Sequence, residues 1–253
     1  MTENDVLRSR MTELSERAYS RDILQHTGFL SLSEQALYRE LLLKGMLSSE
    51  GILSGGYEEA ERCVLFWPAS YETKEDCISG LICCVKAEPC SGKWTGTLTH
   101  RDYLGALMSL GIERECIGDI LVDAEQNAYI YCLSELAEYL TKELHSVRRS
   151  EVRAAVIPLS ECRVHPETET ISINIPSERA DAVIAEVFHL SRSVSAELFR
   201  KEAVSIDGKI ASGDTRLCEG NRISVRGFGK MIYDGVQGQS RRGRLFAELR
   251  LYR

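Results

Sequence analysis

The sequence predicts a mixed α+β chain whose helices and strands fall into successive pieces. Three observations carry that expectation. Apolar residues recur at helical spacing through residues 1–58, short apolar runs alternate with helical stretches over 59–160, and two short amphipathic stretches precede strand-like segments over 178–253. Residues 161–177 read as a connecting strand segment. With 253 residues, of which 43% are apolar and 27% charged, the chain is long enough for two or three domains, each with its own core.

In the first piece, "DVLRSRMTELSERAYSRDIL" spaces Val6, Leu7, Met11 and Leu14 for a helix. "LSEQALYRELLLKGM" does the same with Leu37, Leu41 and Leu42, and Ser33 is the expected cap. Gly55 and Gly56 in "SGGYEEAE" break the pattern and mark a boundary or a tight turn. Beyond them "RCVLFWP" and "GLICCVKAE" read as strands and "THRDYLGALMSLG" as a helix. "GDILVD" and "AYIYCL" follow as strands across a turn at 125–127, then a helix in "SELAEYLTKELHSV" and a closing strand in "RAAVIPL". That order is the split βαβ arrangement of ferredoxin-like and RNA-recognition folds. The strands lack the aromatic signature of a base-stacking sheet, so stacking on them is not expected. In "THRD", Thr99 and Asp102 suit an acidic capping box, which explains His100 and Arg101 as residues of a helix start.

The last piece predicts a helix over 178–188, presenting Val183, Ile184, Val187 and Phe188 to a core, and a second over 191–202, presenting Val194, Leu198 and Phe199. The two meet at a corner. "VSIDGKI" reads as a strand running into a tight turn at Asp207-Gly208, and "NRISVRGFGK" supplies a further strand. Arg192, Arg200 and Lys201 on the second helix, with Lys209 beyond the turn, are expected to converge on one surface. A cation in a first helical turn opposes the dipole at a cost of up to about 1 kcal/mol. The Ser191 hydroxyl, the bare amides and the Arg192 guanidinium would together make a phosphate pocket.

Charge divides the chain in the same way. Residues 179–253 hold 14 Lys and Arg against 9 Asp and Glu, net +5, while the preceding 178 residues hold 17 against 29, net −12. A basic piece on an acidic body points to a polyanion-binding module. The nine cysteines form no C-x-x-C pair, so neither a metal site nor a disulfide framework is expected. No apolar run approaches the roughly 20 residues of a membrane span. The polar opening lacks the apolar stretch of a signal peptide, and the expectation is a cytoplasmic protein that does not engage membranes. No Ser/His/Asp or Cys/His set has a defensible spacing, so an enzyme is not expected, nor a cofactor, nor a small-molecule substrate.

The segment "RADAVIAEVFHLSRSVSAELFRKEAVSIDGK…EGNRISV" resembles the small RNA-binding domain named after the fourth small-subunit ribosomal protein, here the S-four domain. It keeps Arg179, Asp181, Ser191, Arg192, Val204, Ile206, Gly208, Gly220, Ile223 and Val225 of that pattern. It departs at Ala180 for leucine, Glu202 for the glycine ending the second helix, Asp207 for asparagine and Asn221 for aspartate. Upstream, "FLSLSEQ", "GGYEEAERCVLFWP" and "THRDYLGALMSLGIERECIGDILVD" are similar to segments of the YlmH family of bacterial S-four proteins. The resemblance implies a helical N-terminal part, an RNA-recognition-like middle domain and a C-terminal S-four domain with a strand extension. It also implies a non-catalytic protein that binds structured ribosomal RNA or transfer RNA on stalled large ribosomal subunits, with a link to cell division. The RNA-binding residues expected on this basis and on charge are Arg179, Ser191, Arg192, Ser195, Arg200, Lys201, Lys209, Arg222 and Arg226. S-four domains also accompany pseudouridine synthases and methyltransferases. The catalytic G-R-L-D context of the first is absent, and "SGGYEE" and "SGKWTG" do not make the cofactor loop of the second. A protein-interaction scaffold with weak RNA binding is the third alternative.

Overall fold

Thr2 starts the first helix, α1 (Glu3–Arg21), in a reciprocal cap with Asp5: each residue's side chain accepts from the other's amide. The computed structural model describes residues 2–90, 97–162, 164, 168–240 and 243–252; the "SGKWTG" segment lies outside them. After α1 come β1 (Gln25–Leu30), α2 (Leu32–Leu43), β2 (Ile52–Ser54) and β3 (Cys63–Trp67). Ser31, not Ser33, caps α2. Glu34 stands three residues after Ser31 and returns its carboxylate to the Ser31 amide at 2.6 Å, whereas the residue three after Ser33 is Ala36, which has nothing to return.

The helical expectation for residues 1–58 holds for α1 and α2 but misses β1 and β2. These flank β3 in an antiparallel sheet of order β1-β3-β2. The polar, glycine-containing run "QHTGFL" hides β1 in the sequence. Strand β3, expected to open the middle domain, therefore belongs with the N-terminal layer, and this sheet crosses the expected boundary at 58/59.

The chain continues through α3 (Lys74–Leu81), β4 (Ile82–Pro89), α4 (His100–Ser109), β5 (Ile117–Val122), β6 (Ala128–Leu133), α5 (Ser134–Glu143), β7 (Ser146–Val147) and β8 (Ser150–Ile157). The sheet order is β5-β6-β4-β8-β7, and its first four strands have the split βαβ connectivity. Side chains alternate across it. Val85, Ala87, Ile130 and Cys132 pack under α4 and α5 against Tyr103, Leu107, Ala137 and Leu140. Ile82, Cys84, Tyr131 and Leu133 point the other way and are covered by Phe29, Val64 and Phe66 of the N-terminal sheet. Each Val, Leu, Ile or Phe among them contributes about 1.5–3 kcal/mol when buried. The helix-free face of the middle sheet is thus largely a core, not a surface.

The loop containing Gly55 and Gly56 helps close that core. Gly56 has φ 92°, and a Cβ there would stand 2.9 Å from Tyr131 Cδ1, so glycine answers both the backbone and the packing. One residue on, Tyr57 stacks on Tyr131 at 4.8 Å between ring centroids and donates its hydroxyl to Asp119 at 2.8 Å. Asp119 sits where the register between β5 and β6 shifts, and it also accepts from the amides of Glu61 at 2.6 Å and Arg62 at 3.2 Å. The Arg62 guanidinium donates in turn to the carbonyls of Phe29, Ile117 and Arg114. What reads as a boundary in sequence is a fastening in the fold.

The chain divides into two compact units, and residues 166–253 form the second. It contains β9 (Thr168–Ile175), α6 (Ala180–Val187), α7 (Arg192–Arg200), β10 (Val204–Ile206), β11 (Lys209–Ile210), β12 (Arg222–Val225), β13 (Gly229–Gln239) and β14 (Leu245–Tyr252). The antiparallel order is β11-β10-β12-β13-β14-β9. Strand β9 pairs with β14 from Thr168↔Tyr252 to Ile175↔Leu245, so most of the expected connector over 161–177 is an edge strand of this sheet. Ile173 and Ile175 enter a core with Val183, Ile184, Val204 and Leu249. On α7 the expected inward residue Val194 is 42% exposed, Leu198 and Phe199 are half-buried, and Ser195 is the buried one. Asp207 and Gly208 make the expected two-residue turn, both with positive φ, of 48° and 75°.

Burial pushes the Asp119 carboxyl above its usual range, against the pull of hydrogen bonds from Tyr57, Glu61 and Arg62. Between the unfolded value near about 3.9 and the raised folded value, the folded state binds the extra proton, so this group's contribution falls as pH rises through that window. At neutral pH the ionised group is a cost offset by its three donors. Asp119→Ala would strand those donors and is expected to lower stability by about 2 kcal/mol in urea unfolding. An unchanged midpoint would mean that the loop is held by apolar packing alone.

Candidate nucleic-acid interface

Helices α6 and α7 meet at a corner built from two similar helix endings. At the end of α6 the amide of Leu190 bonds the carbonyl of Ala185 at 2.8 Å, with His189 between at φ 51°. At the end of α7 the amide of Ala203 bonds Leu198 at 2.9 Å and that of Glu202 bonds Phe199 at 3.0 Å, with Glu202 at φ 51°. This is the Schellman pattern. Glu202 therefore takes the left-handed position without glycine's freedom, and the helix stops where the S-four pattern stops it.

Two of the remaining departures, Asp207 and Asn221, meet each other. Asn221 donates its amide to Asp207 Oδ2 at 2.8 Å, and Asp207 Oδ1 accepts from the Arg222 amide at 2.9 Å. Where the pattern has asparagine then aspartate, this chain has aspartate then asparagine. In this chain Asn221 is the donor and Asp207 the acceptor.

A cleft of about 440 Å³ opens beside the start of α7, lined by Ser177, Arg179, Asp181, Glu186, Arg192 and Arg244 among others. Ser191 caps α7, its hydroxyl accepting from the Val194 amide at 3.3 Å and bonding the Ser193 hydroxyl at 2.9 Å. Arg192 follows at the first helical position, exposed, on a turn with no acidic residue. Among the described residues it makes no ion pair. Arg179 is held by Asp181 at 2.7 Å. Arg244, from the β13–β14 connection, donates to Asn174 Oδ1 at 2.7 Å and to the Asn174 carbonyl, and reaches Glu186 at 4.0 Å. Three guanidinium groups thus border one polar cleft.

The other expected residues lie elsewhere. Arg200 and Lys201 end α7, about 12 Å along the helix from Arg192 at 1.5 Å per residue. Arg226 joins them there, its amide bonded to the Ala203 carbonyl at 2.8 Å. Lys209 is exposed on the edge strand β11, and Arg222 is half-buried on β12. The single surface expected from sequence is therefore divided between the two ends of α7. Lys201 is paired with Glu197 at 2.7 Å, while Arg200, Lys209 and Arg226 make no ion pair among the described residues. Ser195 leaves the set. It is 1% exposed and donates to the Asp181 carbonyl at 2.9 Å, tying α7 to α6 instead of facing a ligand. Arg244 is the residue sequence reasoning missed, although the basic run "SRRGR" was the available signal.

Three substitutions separate structural from surface roles here. Ser195→Ala is expected to cost about 1 kcal/mol, by loss of a buried hydrogen bond. Glu202→Gly is expected to gain about 1 kcal/mol by relieving the left-handed position. Arg192→Ala should leave the thermal midpoint unchanged or slightly higher. A midpoint that falls sharply in Arg192→Ala would make that residue structural.

Residues 92–161 match the family described as "Putative RNA-binding domain in YlmH". The chain is 28% identical over 220 residues to the ribosome-associated protein quality control protein P2 of Bacillus subtilis (strain 168), covering 85% of this chain and 82% of that protein. The solved structure of cell division protein ylmH from Streptococcus pneumoniae has a TM-score of 0.50 at 19% identity, covering 65% of this chain and 96% of that one. That last likeness speaks to fold alone. The family match falls within the first unit, outside the arginine-bordered cleft, so by sequence the chain is similar to a ribosome-associated quality-control protein and its middle region matches the YlmH RNA-binding domain.

Proposed function

We propose that the chain is a YlmH-type, non-catalytic protein that binds structured RNA, with residues 178–253 acting as an S-four module. In this reading its RNA is ribosomal RNA or transfer RNA, its site is the large ribosomal subunit, and its task is quality control of stalled translation in the cytoplasm. A link to cell division, implied by the YlmH resemblance, belongs to the same proposal. The observation that carries the reading is Arg192: an exposed guanidinium with no ion pair among the described residues, beside Arg179 and Arg244 on one cleft. Phosphate oxygens suit that fork geometry. The match at 92–161 and the quality-control relative support the same class. Binding is favoured over catalysis because guanidinium groups have no proton to transfer near neutral pH and serve as fixed donors.

The experiment is binding of the full chain to a transfer RNA transcript at fixed salt, with thermal unfolding alongside. Arg192→Ala and Arg244→Ala are each expected to weaken binding about tenfold without unfolding the protein. Arg192→Lys should recover only part of the loss, because an ammonium lacks the planar two-donor fork. Wild-type affinity in both alanine variants would remove the cleft from the RNA interface.

A further inference from the structure

The closed face of the middle sheet raises the question of where residues 92–161 would engage RNA. Tyr131, 0% exposed, is spent on Tyr57 and the N-terminal layer, and Lys86 lies over the Tyr129 ring at 5.8 Å from its centroid. The helical side offers something different. Helix α4 packs against β7, and the β7–β8 hairpin places Arg148 and Arg149 at its tip. Between them lies a cleft of about 370 Å³, lined by Arg101, Gly105, Ala106, Ser109, Ser146 and Arg148.

The chemistry of this cleft is distinct from its surroundings. Its floor is small, and a Cβ on Gly105 would meet nothing within 4 Å. A sugar-phosphate backbone could approach it closely. Its rim is basic in a region that is otherwise acidic, since residues 1–178 carry net −12. Arg101 and Arg149 are exposed and make no ion pair among the described residues. Asp102, the carboxylate in the cleft, is committed: it accepts from the Thr99 amide at 2.9 Å and hydroxyl at 2.7 Å and meets Arg148 at 3.3 Å. Arg148 holds φ 56°, a left-handed position for a residue without glycine's freedom, and its guanidinium remains 67% exposed beside that carboxylate.

We propose that this cleft between α4 and the β7–β8 hairpin is a second RNA-binding surface, which takes the sugar-phosphate backbone of structured RNA through Arg101, Arg148 and Arg149. It rests on the RNA-binding reading above and assigns residues 92–161 a way of binding that does not use the sheet. Contacts of this kind position a protein on RNA without reading bases.

The test uses the full chain and a transfer RNA transcript at fixed salt. Gly105→Glu places an acid in the cleft and replaces a helix-interior glycine with a better helix former. It is expected to weaken RNA binding about tenfold while the thermal midpoint holds or rises. The double variant Arg101→Ala/Arg149→Ala should weaken binding at least as much, and Gly105→Ala should bind as wild type. Wild-type affinity in both Gly105→Glu and the double variant, with Arg192→Ala still impaired, overturns this proposal and leaves the C-terminal cleft as the RNA site. A wild-type chain that binds no transcript overturns both readings together. If a polyglutamate peptide binds and the RNA does not, and Gly105→Glu abolishes that binding, the cleft belongs to an acidic protein partner and the RNA assignment is wrong.

Discussion

Asp119 is the constraint on which the first unit depends. Its carboxylate, at the register shift of β5, gathers Tyr57 and the amides of Glu61 and Arg62, and so fastens the loop that enters β3 to the middle sheet. With β3 held there, Phe29, Val64 and Phe66 lie over Ile82, Cys84, Tyr131 and Leu133. A sheet that would otherwise have one open face becomes the centre of a two-sided core. The isolated hydrogen bonds are worth little individually, but they set the position of a layer whose apolar burial is worth several kcal/mol.

That closure bears on the proposed function. A four-stranded sheet with helices on one side has its natural single-strand platform on the other, where bases stack on aromatic rings. Here that area is occupied by protein, and exposed arginines stand instead at the start of α4 and at the β7–β8 hairpin tip. A guanidinium fork matches phosphate oxygens, so the surface that remains suits a folded RNA presented by its backbone. The two units divide the electrostatic work differently. Residues 179–253 are basic overall, whereas residues 1–178 are acidic, with Arg101, Arg148 and Arg149 grouped about the α4 cleft.

Most of the element order was legible in the sequence because local chemistry set it. The α4 start follows from Thr99 and Asp102, the β10–β11 turn from Asp207-Gly208, and the split βαβ order from the alternation of apolar runs. Even the α2 cap was available, since Glu34 answers Ser31 and nothing answers Ser33. What failed was long-range pairing. Strand β9, with Ile171, Ile173 and Ile175 alternating, reads as a strand, but its place at the edge beside β14 does not show in the sequence, and the polar strand β1 is a strand because of its distant partner β3. The same reason explains the site. Ser195 was grouped with exposed residues because helical spacing does not reveal that Asp181 lies beneath it, and Arg244 was missed because only β14's pairing with β9 brings it to Asn174 and the cleft.

The proposed function requires that RNA be held through phosphate contacts made by arginines off the sheet. The most direct test is the affinity of the unmodified full chain for two structured RNAs of unrelated sequence, followed as salt is raised from about 50 to 200 mM. Log affinity is expected to fall linearly with log salt, with similar slopes for both RNAs, by about one power for each phosphate contact. Affinity that barely changes with salt, or that distinguishes the two RNAs strongly at high salt, would contradict it and point to base recognition or stacking.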